Sequence, residues 1–268
     1  MQDFGKFSVL GVKIAAIDYE SAVLKIIDAA KQSQPFAVSA LAVHGVITGA
    51  TDPAHLRRLN GLALNVPDGQ PVRWALRWLH GIKLRDRVYG PNLTLKVLAE
   101  SETQHIPVYF YGSDAVTLDK LKINLIKKFP NLLIAGMEPS QFKKITESEK
   151  NKVVQRIKDS GAKIVFVGLG CPRQEVWAFE YQNLLSLPVI AVGAAFAFHA
   201  GTLAQAPAWM QSRGLEWLFR LIKEPMRLWK RYLFLNPLYL FLVFLQKLEF
   251  RKFPDSMPDG AEEVLGYG

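Results

Sequence analysis

The chain has 268 residues, half of them apolar, which is ample for a buried core in one large domain or a domain with an appendage. Its single cysteine, Cys171, excludes an intrachain disulfide and a cysteine metal cluster. The formal net charge of +9 favours an anionic partner, whether nucleic acid, phosphorylated substrate or acidic lipid.

The opening Met-Gln-Asp-Phe-Gly-Lys-Phe lacks a basic stretch followed by an apolar one, which argues against a signal peptide. Residues 7–14 read as a short strand and 19–32 as a helix. A buried strand over 35–41 precedes a short helix around 43–50, and Asp52-Pro53 breaks it before a helical turn at 54–60. The apolar strand 62–66 is closed by Pro67-Asp68-Gly69, so Asp68 is expected to project from a strand's carboxyl end, with Gly69 permitting an unusual turn. In open α/β sheets that edge is where ligands bind. Helices follow at 70–79 and 91–100. Between them Arg85 and Arg87 precede Gly90-Pro91, so guanidinium groups can converge with the carboxylate. Taken alone, each of these turns reads first as an Asp-Gly corner and a surface ion pair.

From Ile106 strands and helices alternate: strands at 107–111, 132–137, 163–167 and 187–192, helices at 114–129, 146–160 and 172–185. Short loops between them argue for an α/β fold, a parallel sheet with helices on both faces. Two strand-to-helix junctions suit a phosphate. At Gly112-Ser113 the glycine frees the backbone and the serine caps the next helix. At Gly168-Leu169-Gly170-Cys171-Pro172-Arg173-Gln174 two glycines precede a helix. This second junction departs from a dinucleotide fingerprint after Gly-x-Gly, so a nucleoside diphosphate fits better than NAD. Gln174 is placed to reach a base or sugar, or is simply a solvated helix residue.

The five histidines lack metal-ligand spacing and no Asp-x-Asp occurs, so neither a metal nor another cofactor is expected. His44, beside Gly45 at a strand end, reads as a site residue or as a structural histidine. Beyond Ala206-Pro207 the chain turns helical, aromatic and basic. Residues 211–253 hold nine Lys or Arg against three Glu, or +6 of the chain's +9. The apolar run 232–245 contains Asn236-Pro237 and falls short of the roughly 20 residues that span a bilayer, so a helix lying in the interface is expected. Arg220, Arg227 and Arg231 share one face there. A solvated basic face is the plain alternative, and nucleic acid is not expected. Residues from 254 on read as a disordered tail.

Taken in order, Val-Pro-Asp-Gly (66–69), Arg-Val-Tyr-Gly (87–90), Val-Gly-Leu-Gly-Cys-Pro-Arg-Gln-Glu (167–175), Val-Gly-Ala-Ala-Phe (192–196) and Gly-Leu-Glu-Trp-Leu-Phe-Arg-Leu-Ile-Lys-Glu-Pro-Met-Arg (214–227) resemble the WecG/TagA/CpsF glycosyltransferases, bacterial enzymes that extend lipid-linked sugars. The resemblance implies a Rossmann-like core over 1–206 and a membrane-associating appendage over 207–253. It makes Asp68 the catalytic base. Substrate binding would fall to Ser39, His44, Arg87, Asn92, Gln174, Arg220, Arg227 and Lys230, and nucleotide binding to Gly112, Ser113, Gly168, Gly170 and Arg173.

Two positions depart from the family pattern. Leu41 stands where an asparagine is usual, and Ala197 where an aspartate is. Both lie near the expected sugar site and bear on the donor sugar.

The reaction so implied is inverting and metal-independent, from a UDP-sugar to a polyprenyl-diphosphate-linked sugar at the inner face of the cell membrane. Anionic lipid is then a partner, and packing of apolar helices allows a homo-oligomer. The alternative from another class is a non-catalytic nucleotide-binding membrane scaffold.

Overall fold

The computed structural model describes residues 1–254 and 265–268, apart from the side chains of Arg227 and Arg231. Strands β1 (Asp3–Val9) and β2 (Val12–Ile17) form an antiparallel hairpin. One strand was expected over 7–14. Leu10 and Gly11 instead take positive φ, 55° and 86°, and turn the chain in the middle of the apolar pattern.

The chain then continues through α1 (Tyr19–Gln32), β3 (Phe36–Leu41), α2 (Val43–Thr51), α3 (Pro53–Asn60), β4 (Leu64–Pro67), α4 (Gln70–His80) and α5 (Gly90–Thr103). The second half runs β5 (Val108–Gly112), α6 (Ala115–Lys128), β6 (Ile134–Glu138), α7 (Glu147–Asp159), β7 (Ile164–Gly168), α8 (Arg173–Leu185), β8 (Pro188–Ala191) and α9 (Ala195–Ala200). Strands β3 to β8 make one six-stranded sheet in the order β4-β3-β8-β7-β5-β6, and every neighbouring pair is parallel. This is the Rossmann-like α/β architecture expected from the alternation.

Strand alternation explains the layers. Tyr109, Tyr111, Val165, Val167 and Val189 face one apolar cluster, beneath α2, α4 and α8. Val108, Phe110, Ile164, Phe166 and Ile190 face the other, beneath α1, α5 and α6. Phe110 and Phe166 stack at 5.3 Å, fully buried, and each contributes roughly 1.5–3 kcal/mol by leaving water.

Short helices α10 (Ala208–Ser212), α11 (Glu216–Lys223) and α12 (Pro225–Lys230) lead into a wide turn at Arg231–Leu235 and then α13 (Asn236–Lys247). Pro237 was expected to interrupt the apolar run. It lies in the first turn of α13, directly after the wide turn, which carries the helix across the junction. Leu228–Lys247 is therefore one helix of 20 residues, long and apolar enough to cross a membrane by length and composition. Its inner face is nevertheless committed to the protein: Tyr239, Leu242 and Val243 are buried, and Tyr239 Oη donates to Pro71 O at 3.2 Å.

Most of the tail expected to be disordered lies outside the described residues. Of its last four residues, Gly266 and Gly268 pair with the segment before α7, where Ile145 N donates to Gly266 O at 2.7 Å, and Leu265 N donates to Glu180 on α8.

Candidate active site

The carboxyl ends of β3, β4, β5, β7 and β8 open on one side of the sheet, and the residues just beyond them build the site. Asp68 follows β4. Its backbone N–H donates to Leu41 O at 3.1 Å, tying it to the end of β3. Its Oδ1 accepts from Gly90 N at 2.6 Å. A Cβ on residue 90 would lie 3.0 Å from Ala40 Cβ and 3.3 Å from this oxygen, so glycine there lets the N–H come close. Gly69, by contrast, has φ of −88°, open to any residue, and the unusual turn expected of it is not made. Pro67 shapes this corner.

Arg87 locks the site together. Its Nη1 donates to Asp68 O at 3.1 Å and its Nη2 to Glu216 Oε2 at 2.7 Å, while the guanidinium lies 4.2 Å over the Tyr89 ring. Tyr89 Oη donates to Glu216 Oε1 at 2.9 Å and accepts from Gln205 Nε2 at 3.3 Å. Glu216 thus pins α11 to the loop between α4 and α5. Burial pushes the Asp68 carboxyl up to about 6, and the neighbouring Glu216 adds to the rise, against the opposing pull of Arg87, Gly90 N–H and Arg220. Such a group is poised to take a proton near neutral pH.

Two cavities meet at Asp68. The larger, about 640 Å3, extends over Ser113, Gly168, Gly170 and Gln174 to Ala197 and Arg220, a size that suits a small-molecule ligand. The smaller, about 130 Å3, passes Arg87 and Arg220 and then becomes apolar along Val43, Trp217, Tyr232 and Leu235. His44 and Glu216 line both. Arg220 also lines both, and its Nε is buried without a partner among the described residues.

The remaining expected site residues fall in several places. Gly112 serves geometry: at φ 112° it packs on Gly168, whose carbonyl would be 2.8 Å from an added Cβ. Ser113 lines the cleft, but the helix it was expected to cap is capped by Asp114, whose Oδ1 accepts from Thr117 N at 2.8 Å. Ser39 is fully buried and donates to Glu175, so it does not line either cavity. Arg173 is exposed and sits 5.6 Å over the Tyr267 ring, away from the cleft. Asn92 lines a separate polar cavity of about 430 Å3 on the far side of Arg87 and Tyr89. Lys230 is exposed against Trp229 and outside both cavities, and the Arg227 side chain lies outside the described residues.

Leu41 and Ala197 both line the larger cavity, where neither offers a polar side-chain atom. Sequence reasoning missed Glu175, Glu216 and Tyr89. A lone glutamate in a basic helix, or one beside a glutamine, carries no local mark of its role. Among the described residues no three His, Cys, Asp or Glu side chains gather as a metal set.

A parallel sheet with a basic residue and a raised carboxyl at the meeting of two clefts is an arrangement suited to transfer chemistry. The model of the glycosyl transferase WecG/TagA/CpsF family matches residues 7–253, and the chain belongs to that family. It is a glycosyltransferase. The chain is 29% identical over 200 residues to the N-acetylglucosaminyldiphosphoundecaprenol N-acetyl-beta-D-mannosaminyltransferase of Bacillus subtilis (strain 168), covering 74% of this chain and 75% of the relative. It is likewise 29% identical over 187 residues to the protein of the same name from Bacillus spizizenii, covering 68% of each.

Proposed function

We propose that the protein transfers a sugar from a UDP-sugar to a polyprenyl-diphosphate-linked sugar, with inversion and without a metal. The observation that carries this reading is the position of Asp68 at the junction of a large polar cavity and a small one that turns apolar. The first suits a nucleotide sugar. The second suits a diphosphate held between Arg87 and Arg220, with a prenyl chain leaving past Tyr232 and Leu235.

In this scheme Asp68 Oδ2 takes the proton of the acceptor hydroxyl while Oδ1 stays on Gly90 N–H. The acceptor oxygen attacks the anomeric carbon as the bond to the UDP oxygen breaks, and one displacement inverts the centre. Charge on the departing diphosphate is met by Arg220 and the amino terminus of α8. The relatives' acceptor is, by name, a diphosphoundecaprenol-linked sugar. The reading extends to location. The outer face of α13 is apolar and open, with Leu240 61% and Phe241 57% exposed, and the +6 charge of residues 211–253 favours an anionic bilayer at the inner membrane face.

UDP release from a panel of UDP-sugars, with a polyprenyl-diphosphate-sugar acceptor in EDTA, tests the proposal. Acceptor-dependent release supports it. UDP binding with no release from any donor defeats it.

A further inference from the structure

In the wall of the larger cavity lies a polar cluster that the transfer step itself does not use. Glu175 is 1% exposed, and its Oε1 accepts from Ser39 Oγ at 3.0 Å and from Gln174 Nε2 at 2.9 Å. The Cys171 thiol adds a further contact, and no cation is among the groups acting on it. Burial raises this carboxyl above its ordinary range. Gln174 is itself 3% exposed. With Nε2 committed to Glu175, its Oε1 has no hydrogen-bond partner among the described residues, and neither has Glu175 Oε2; the end of the amide lies against Gly193, its Oε1 and Nε2 3.6 and 3.7 Å from where a Cβ would stand.

A buried acceptor left empty is costly to keep in a folded protein, so it points to a donor supplied by a ligand. Leu41, Gly193 and Ala197 share this part of the cavity and bring no polar side-chain atom. The polar groups on that wall are the Gln174 amide and its neighbours Cys171 and Glu175, and Glu175 sets the direction of the amide.

We propose that Glu175 is a positioning residue that holds the Gln174 amide with Oε1 facing the cleft, where it accepts from an N–H or O–H of the transferred sugar. The inference rests on the proposed transfer from a nucleotide sugar. It makes Glu175, which also lines the cavity beside Gln174, a determinant of donor choice through its hold on the amide. Ser39 is then part of the same support: its hydroxyl shares Oε1 and fixes the carboxyl plane.

The test compares donor KM, kcat and inhibition by UDP for a UDP-N-acetylhexosamine and the matching UDP-hexose. Glu175→Gln keeps an acceptor for both donors and should stay close to wild type. Ser39→Ala with Glu175→Leu removes hydroxyl and carboxyl together, so that the Gln174 Nε2 loses its acceptor and the amide is free to turn. It should raise the KM of the preferred donor about tenfold, the worth of one hydrogen bond, with inhibition by UDP unchanged. Gln174→Leu should give the same loss and the same narrowed donor preference, and adding it to the double variant should change nothing more.

A purely structural role for Glu175 would weaken UDP and donor alike, or add its loss to that of Gln174→Leu. Either result overturns the inference, as does a Gln174→Leu enzyme with undiminished donor preference, which can be read even if the double variant does not fold. Failure of the underlying function looks different, because wild type itself would then release no UDP from any donor.

Discussion

Replacing Asp68 by asparagine should make the protein more stable while abolishing turnover. Burial lifts this carboxyl from 3.8 to about 6, so the folded state binds its proton more tightly than the unfolded chain does. Asp68 therefore costs nothing below about pH 4, and its ionisation progressively destabilises the fold as pH rises through 6. A rise of about two units, at 1.36 kcal/mol each, is about 3 kcal/mol at pH 7.5, an upper figure because water reaches part of the site. Asparagine keeps an oxygen for Gly90 N–H and carries no charge. Thermal unfolding should therefore show Asp68→Asn melting several degrees above wild type at pH 7.5 and level with it at pH 4. Turnover should fall at least about 100-fold with UDP binding retained. In wild type, kcat/KM should drop about tenfold per unit below pH 6, as the base is protonated. Equal melting temperatures at pH 7.5, or a rate profile flat down to pH 4, would refute the reasoning.

Three further outcomes are expected. Glu216→Gln removes a negative neighbour of Asp68, so the acid limb of the kcat/KM profile should move to lower pH, and an unmoved limb would leave Glu216 a mere tether. Turnover should survive EDTA, and loss restored by magnesium or manganese would break the metal-free scheme. Leu240→Glu with Phe241→Glu should abolish sedimentation with anionic liposomes without lowering the melting temperature, because both side chains are exposed; retained binding would move the membrane contact elsewhere.

Much of the sheet was legible because period-two apolar strands alternate with capped helices, and that signal is local. Asp68 was legible for the same reason, since Pro67-Asp68-Gly69 ends a strand. What remained hidden depends on long-range contact. The Leu10-Gly11 corner sits inside an unbroken apolar pattern, and Pro237 looks like a breaker until the preceding wide turn supplies a helix for it to begin. Ser39 was named as a ligand contact through the family resemblance, yet strand alternation turns it away from the opening and onto Glu175. Glu216 lies 129 residues from Arg87, and no spacing rule joins them.

The docking of α13 has a mechanical consequence. Its inner face is fastened to the body of the protein at Tyr239, Leu242 and Val243, while Tyr232 and Leu235, just before it, line the cavity that ends at Asp68. On the proposed reading, a helix resting on the bilayer sets the height of the carboxylate above it as a fixed gauge. Only the first few carbons of a prenyl chain would then leave the bilayer to meet protein, and the rest would stay in lipid. Chain length beyond those carbons would govern how the acceptor is delivered, and a short-chain, water-soluble acceptor would be recognised as well as a long one.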